Sequence, residues 1–464
     1  MWTRFAWMMA ILALVSIGFL MACNAKYSSN DNGLVVIPSQ GGGPLVNNQL
    51  NGPVMETFSL DLENGSTTEI NNVNGPPTPG LPTAIVLDPA GANAYVIVNE
   101  NPAVPGGSVT GIAAFPIASD GKLGSATTYT LNSASVQIQV LVNGVLTNQS
   151  ETVPVAPVAL RMDSAGKFLF VANSATSDSA DPSNPIPGSI SVLSVGSNGT
   201  LTEVTGSPFV LPVNGANVNP PEPCTNQVAC SSPLALAVTP TVYPPQYAYC
   251  SGIAPPTTEN LYVPDSINNI LLNYSVSSSG ALSLVQTDNG VGIPTGYMPD
   301  GVTVDPCNRF VYVSNGLSNA ATSNTVSAYT ICSTMTQQNC PAPDFRLLKI
   351  NNGVPFPVSP GEGPGPLSMD AYGNYLYVVD TASGQVSQFR VSTATGALTA
   401  LTPPYVSAGG GANSIAIRGD DSFVFVTNLN PGTLSEYAIN LQNGNLAPLP
   451  VIQTFNYPSG VAVK

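Results

Sequence analysis

The sequence predicts an all-β fold, a closed ring of four-stranded antiparallel blades, and three observations carry that prediction. Turn formers and strand formers crowd the chain, while strong helix formers are few. A short phrase, aromatic-Val-x-Asn, seen in RFVYVSNGLSN (309–319), returns along the chain. A glycine turn of the hairpin type follows nearly every copy.

Composition bounds the rest. Of 464 residues, 43 are Gly and 44 are Pro, and only 8% are charged. Hydrophobic residues make up 43%, which is enough for a sizeable core and too much for a disordered chain. Length is a soft guide to domain number, because all-β chains run long as single domains.

The phrase occurs as AYVIVN (94–99), FLFVANS (168–174), NLYVPDS (260–266), FVYVSNG (310–316), YLYVVDT (375–381) and FVFVTNL (423–429). Most copies are preceded by a strand and a turn: AIVLDPAG (84–91), ALRMDSAG (159–166), GVTVDPCN (301–308), LSMDAYG (367–373) and SIAIRGDD (414–421). A third element follows, ending in a Gly turn: FPIASDGKL (115–123), LSVGSNGTL (193–201), YSVSSSGAL (274–282), FRVSTATGAL (389–398) and YAINLQNGNL (437–446). Asn-Gly, Asp-Gly and Ser-Gly supply the positive φ of tight hairpins. Each unit is therefore strand, hairpin, strand, hairpin. The shorter spacings match one blade of about 45 residues, and the longer ones carry insertions such as Ser174 to Gly188.

Six units run contiguously from Gly80 to Phe455. YPSGVAVK (457–464) begins a seventh and stops after one strand. The missing strands lie at the other end, in GLVVIPSQ (33–40) and ETFSLDLENGST (56–67). The prediction is a seven-bladed β-propeller over 33–464, closed by a composite blade of 33–70 and 457–464, which protects the sheet edges. Within the phrase, Tyr and Val alternate across a strand and fill the space between blades. The terminal Asn or Asp (Asn173, Asp265, Asn315, Asp380, Asn428) is expected to cap its own turn. Val98 and Pro38 take that place in two copies.

These units resemble the YVTN repeats of the seven-bladed β-propeller lactonase family, which includes 6-phosphogluconolactonase-like proteins. The resemblance covers nearly the whole chain beyond its leader and implies the propeller fold and an activity on sugar lactones. Cycloisomerase-type sites of that family use a histidine with acidic and basic partners. This chain has no histidine, so no catalytic residue is carried over.

The N-terminus reads as an address. MWTRFAWMMAILALVSIGFLMAC has one basic residue, Arg4, and an apolar run from Phe5 to Leu20, the pattern of a secretory signal. Leu20-Met21-Ala22-Cys23 resembles a bacterial lipobox, with Cys23 lipidated as the mature N-terminus. Asn24 is not the aspartate associated with inner-membrane retention, which favours an outer-membrane lipoprotein facing the periplasm or the cell surface. Residues 24–32 form a polar tether. The remaining six cysteines, Cys224, Cys230, Cys250, Cys307, Cys332 and Cys340, suit disulfides in an exported protein, with fifteen possible pairings. Spacing suggests a small loop for 224–230, a replacement for the missing Gly hairpin of the fourth blade for 332–340, and a staple between adjacent blades for Cys250 and Cys307.

Charge and missing residues exclude several functions. Net charge is −15, which repels a phosphate backbone and excludes nucleic acid as a partner. Without histidine there is no Ser-His-Asp triad, no His-ligated zinc and no His general base. No CxxC pair is present for a soft metal.

Chemistry is expected in the funnel of the ring. Arg161, Asp265, Asp300, Glu362 and Asp380 are the candidates, with Glu100, Asn173, Asn315 and Asn428 beside them. Their carboxylate and amide oxygens suit Ca²⁺, and capping of local loops is the alternative use. Arg161 stands where sister blades have Val86 and Thr303, and either binds an anionic ligand or pairs with an acid. Arg418 to Asp420 spells RGD, in a turn that favours Gly and Asp in any case. Two functions follow. One is a monomeric, lipid-anchored binding module of the cell envelope for a saccharide, a peptide or another envelope protein. The alternative is a lactonase-like hydrolase of sugar lactones.

Overall fold

A computed structural model describes residues 33–41, 52–70, 75–100, 110–142, 145–177, 185–212, 230–241, 250, 256, 258–285, 291–316, 323–333, 340, 344–358, 362–430 and 432–464. The leader, Cys23 and the tether lie outside them. The described chain forms seven antiparallel blades arranged as a ring, the predicted seven-bladed β-propeller.

Blade one comprises Leu81–Leu87, Asn93–Asn99, Gly111–Pro116 and Thr127–Thr130, from the channel outwards. Blade two comprises Pro157–Met162, Phe168–Asn173, Ser189–Val195 and Leu201–Glu203. Blades four, five and six begin at Pro299–Val304, Pro364–Met369 and Ala412–Ile417 and repeat the pattern. Blade three has an inner strand that pattern reading misses, the two-residue Ala237–Val238, paired with Tyr262 and Leu261. It carries Thr239 where four of its sisters carry Asp, so the strand-turn signature is absent. In blade seven the inner strand comes from the C-terminus, and Gly33–Gly41, Val54–Leu60 and Thr67–Glu69 supply the other three. Val35 pairs with Val463, and Ser39 with Pro458. Two hairpins are added to the ring: Ala134–Val142 with Val145–Val153, and Thr176–Ser177 with Pro185–Ile186.

Side chains alternate across a strand, so each second strand serves two neighbours. Tyr95 and Ile97 pack towards Leu160, Leu169 and Val171 of blade two, while Ala94, Val96 and Val98 pack towards Leu34 and Val36 of blade seven. The core is thus a set of layers between blades.

The repeated phrase bonds one blade to the next. Tyr95 Oη donates to the carbonyl of Gly199 at 3.1 Å, Tyr312 Oη to Gly396 at 2.9 Å and Tyr377 Oη to Gly444 at 2.7 Å. Each acceptor is the hairpin glycine of the following blade. The glycine is required twice over. Its φ is positive (78°, 72° and 79°), and a Cβ would collide with the first residue of the neighbouring blade's second strand. It would lie 2.7 Å from Asn93 Cγ, 2.6 Å from Phe310 Cδ1 and 2.2 Å from Tyr375 Cδ1, respectively.

Disulfides take over where the pattern lapses. Cys332 is bonded to Cys340 in the blade-four connection that lacks a Gly hairpin. Tyr262, which would reach that hairpin from blade three, has a buried hydroxyl with no partner among the described residues. Cys250 is bonded to Cys307 at the lower turn of blade four. Cys230 is also disulfide-bonded, while Cys224 lies outside the described residues.

Gly444→Ala is expected to cost about 2–5 kcal/mol, from a left-handed backbone and overpacking together. Gly419→Ala, with nothing within 4 Å of the added methyl, is expected to be neutral. Urea unfolding of the two variants side by side checks the contrast.

Candidate functional site

The inner strands of all seven blades line a central channel of about 760 Å³. Its upper rim lies where the second strands end, and its lower rim where the inner strands turn. At the upper rim the inner strands carry a bulge. The ladder skips a residue between Pro82 and Ala84, Pro157 and Ala159, Pro299 and Gly301, and Ala412 and Ser414. A bulge leaves one residue unpaired and re-aims its side chain, and bulges are common beside active sites. The freed residues are Thr83, Val158, Asp300 and Asn413, and all four line the channel.

Asp300 is the one acid among them. Its Oδ1 accepts from Ser314 Oγ at 3.2 Å, and the same hydroxyl reaches the carbonyl of Gly365 at 2.6 Å. A Cβ on Gly365 would sit 3.7 Å from Asp300 Oδ2, and one on Gly316 would sit 4.0 Å from it. The carboxylate therefore faces two residues that have no side chain. Burial pushes its pKa up to about 7, against the lowering pull of the Ser314 hydroxyl. A carboxyl poised near neutrality exchanges protons readily at working pH.

The other predicted site residues are dispersed. Arg161 lines the channel and is exposed within it, paired in register with Phe170 as Thr303 is with Tyr312. It lies three residues below the bulge, about 10 Å at 3.3 Å per residue. Asp265 and Asp380 are fully buried and are not among the lining residues. Asp265 Oδ1 accepts from the backbone N–H groups of Ser232, Ile267 and Asn268, so it caps its own turn. Asp380 Oδ2 accepts from Ser387 Oγ at 2.6 Å, and burial raises its carboxyl to about 7. Glu362 and Glu100 are exposed and also lie off the channel wall. Among the described residues, no group of three or more acidic or cysteine side chains is arranged to hold a metal ion. Within the RGD turn, Arg418 and Asp420 pair with each other.

The asparagines of the phrase do something other than cap their own turns. Asn315 Nδ2 donates to Thr325 Oγ1 and Ser327 Oγ on the third strand, while its Oδ1 accepts from Gly296 N on the incoming linker. Asn428 repeats this with Thr433, Ser435 and Gly409. In blade seven the register gives the place to Ser39 instead of Pro38, with Glu56 where Ser327 stands. Ser39 Oγ donates to Glu56 Oε1 at 2.5 Å, and Phe455 N donates to both carboxylate oxygens. The composite blade has exchanged the amide-plus-hydroxyl pair for a hydroxyl-plus-carboxylate pair.

With this geometry in view, residues 354–462, which span blades five and six and most of the closing strand, match the family model of the seven-bladed β-propeller lactonases. The ring is a seven-bladed β-propeller, the fold of that family. The periplasmic gluconolactonase of Pseudomonas aeruginosa superposes with a TM-score of 0.59 at 18% identity, covering 93% of this chain and 99% of that one. A protein of Lactobacillus plantarum superposes with a TM-score of 0.59 at 16% identity, covering 93% and 99%. At such identity the likeness is one of fold. No curated protein sequence matches the chain.

On the lower rim the propeller has a row of buried acids. Asp305 in blade four is held by Arg309, with Nη2–Oδ1 at 2.6 Å and Nε–Oδ2 at 2.9 Å. Asp370 in blade five caps Asn374 N and Tyr375 N, each at 2.7 Å. Asp421 in blade six reaches across to Ala371 N at 2.7 Å. Burial, helped by the charge of Asp421, raises Asp370 to about 7; burial raises Asp421 to about 6, with Asp420 adding to the shift. The sequence shows these acids as turn residues, and nothing local signals their burial. The same is true of Glu56, raised by burial to about 7.

Because the folded pKa values of Asp370, Asp421, Glu56, Asp300 and Asp380 are raised, the folded state holds protons that the unfolded state releases. That stabilisation is full below about pH 4 and is lost as pH rises through about 7. Tm is expected to fall between pH 5 and pH 8. Asp370→Asn, which keeps the Oδ1 acceptor, should flatten the slope and raise Tm at pH 8 by a few degrees, at about 2–4 °C per kcal/mol. Thermal melts across that range test the sign.

Proposed function

We propose that this protein is a lactonase-like hydrolase in which Asp300 is the general base. The observation that carries the reading is Asp300 itself, a bulge residue on the channel wall with a carboxyl near pH 7. The lactonase family match supports the substrate class. In the reaction, Asp300 takes a proton from water as the water oxygen attacks the lactone carbonyl. The tetrahedral adduct collapses by breaking the bond to the ring oxygen. The proton on Asp300 then passes to that oxygen, leaving a free carboxylic acid and a hydroxyl. The same reading has the enzyme exported and anchored at the outer membrane through lipid on Cys23. Its leader and its disulfides support an oxidising compartment.

A second reading, an envelope binding module without turnover, is favoured by the complete absence of histidine. Hydrolysis of sugar lactones by the purified protein, corrected for the spontaneous rate, separates the two. The assay is run with and without Ca²⁺, a hard cation that takes carboxylate and amide oxygens. Turnover should rise with pH through about 7. Asp300→Asn should lower kcat by about 10²–10⁴. Turnover that survives this substitution sinks the assignment of Asp300. No turnover by folded protein leaves the binding reading.

A further inference from the structure

Beside the upper rim of the channel, over blades three and four, lies a chemically distinct surface. Among the described residues, Leu234, Ile267, Tyr297 and Met298 are all exposed there, at 37%, 45%, 38% and 44%. Hydrogen bonds join the segments that carry them. Leu234 lines the channel with Asp300. Ser266 N donates to the carbonyl of Ser232 and Ile267 N to Asp265 Oδ1, which sets Ile267 beside the Leu234 linker. Met298 N donates to Asn269 Oδ1 at 2.7 Å, joining the linker of blade four to the turn of blade three.

Met298 lies beside Asp300. A Cβ on Gly316 would be 3.7 Å from Met298 Cβ and 4.0 Å from Asp300 Oδ2. Met298 also has a φ of +48°, a left-handed conformation that is uncommon for a long apolar side chain. The fold thus holds an apolar side chain in water, in an unfavourable conformation, at the lip of the catalytic carboxylate. Strain of this kind clusters at ligand sites. Charge adds a second constraint. The channel-lining cations are Arg161, Arg418 and Lys464. Arg161 lies three residues below the bulge, and the other two follow the lower ends of their strands. None of them is at the upper rim.

We infer that the Asp300 site takes an uncharged lactone bearing an apolar substituent, which lies on Leu234, Ile267, Tyr297 and Met298, and that it discriminates against phosphorylated sugar lactones. The inference rests on the lactonase reading above. Apolar area removed from water sets the gain, about three- to fourfold in kcat/KM per buried methylene. A phosphate at this rim would lose its hydration next to a carboxylate, with no cation among the described residues of the rim to receive it.

The test is a series of γ-lactones differing only in alkyl chain, from butyrolactone to decanolactone, with gluconolactone and its 6-phosphate alongside. The expected result is a kcat/KM that climbs three- to fourfold per methylene over the first few carbons, and a 6-phosphate at least tenfold poorer than gluconolactone. Met298→Ser and Ile267→Ser, checked for unchanged Tm, should lower the slope of the series. A flat series, as expected of a rim that docks a protein, overturns the inference, and so does a 6-phosphate turned over as well as gluconolactone. If no lactone is hydrolysed, the lactonase reading has failed on its own account. The rim is then read by calorimetric binding of decanolactone against butyrolactone, where equal affinity overturns it and at least tenfold tighter binding of the longer chain supports it.

Discussion

The hydrogen bond from a tyrosine hydroxyl in one blade to the hairpin glycine carbonyl of the next is the contact on which this ring is organised. Each such bond contributes about 0.5–1.5 kcal/mol net, but its geometric demand exceeds its energy. The tyrosine must lie flat between two sheets, and the acceptor must approach with no side chain in the way. Tyr95, Tyr312 and Tyr377 meet Gly199, Gly396 and Gly444 on these terms. Where the tyrosine is Phe170 or Phe425, or the glycine is replaced by the disulfide-closed connection of blade four, the layer is kept by packing and covalent bonding instead. The phrase and the glycine turn are therefore two halves of one joint, separated in sequence by a whole blade.

That joint sets the channel. With every second strand fixed between its neighbours, the inner strands have little freedom, and their hydrogen-bonded ladders keep the backbone paired. The bulges at the upper rim are the exceptions, and they release single side chains where four blades offer Thr83, Val158, Asp300 and Asn413. Closure makes the same demand of chain ends that share no local sequence. Glu56, Ser39 and Phe455 rebuild in blade seven the clasp that Asn315, Ser327 and Gly296 form in blade four. The donor and acceptor types are exchanged between strands while the geometry is kept.

Part of the site was legible before the structure. Asp300 sits at the start of an inner strand, and a residue there reaches the channel in any propeller. Arg161 was legible as the odd member of a register that runs through Val86 and Thr303. Asp265 and Asp380 have the same sequence logic as the asparagines of their sister blades, and they are drawn into the walls as those asparagines are. Asp300 differs from Asp380 in its strand: Asp380 ends a second strand and is walled in, while Asp300 is the bulge residue of an inner strand, and a bulge depends on pairing across strands. The acids of the lower rim were readable only as turn formers. The raised pKa values of Asp370 and Asp421 come from burial, to which the charge of Asp421 in the next blade adds at Asp370.

Strand alternation, the Asp-led turns, the positive-φ glycines and the split seventh unit are local properties of the chain, and from them the sequence alone determined an all-β ring of seven blades closed by its two ends. These features follow from backbone stereochemistry and from a period of two, which need no knowledge of neighbours. The tertiary structure decided which acids face the channel, which are desolvated and which merely clasp a linker. Desolvation and proton affinity depend on everything packed around a group. In this ring that surrounding always includes residues of another blade, many tens of positions away in the chain.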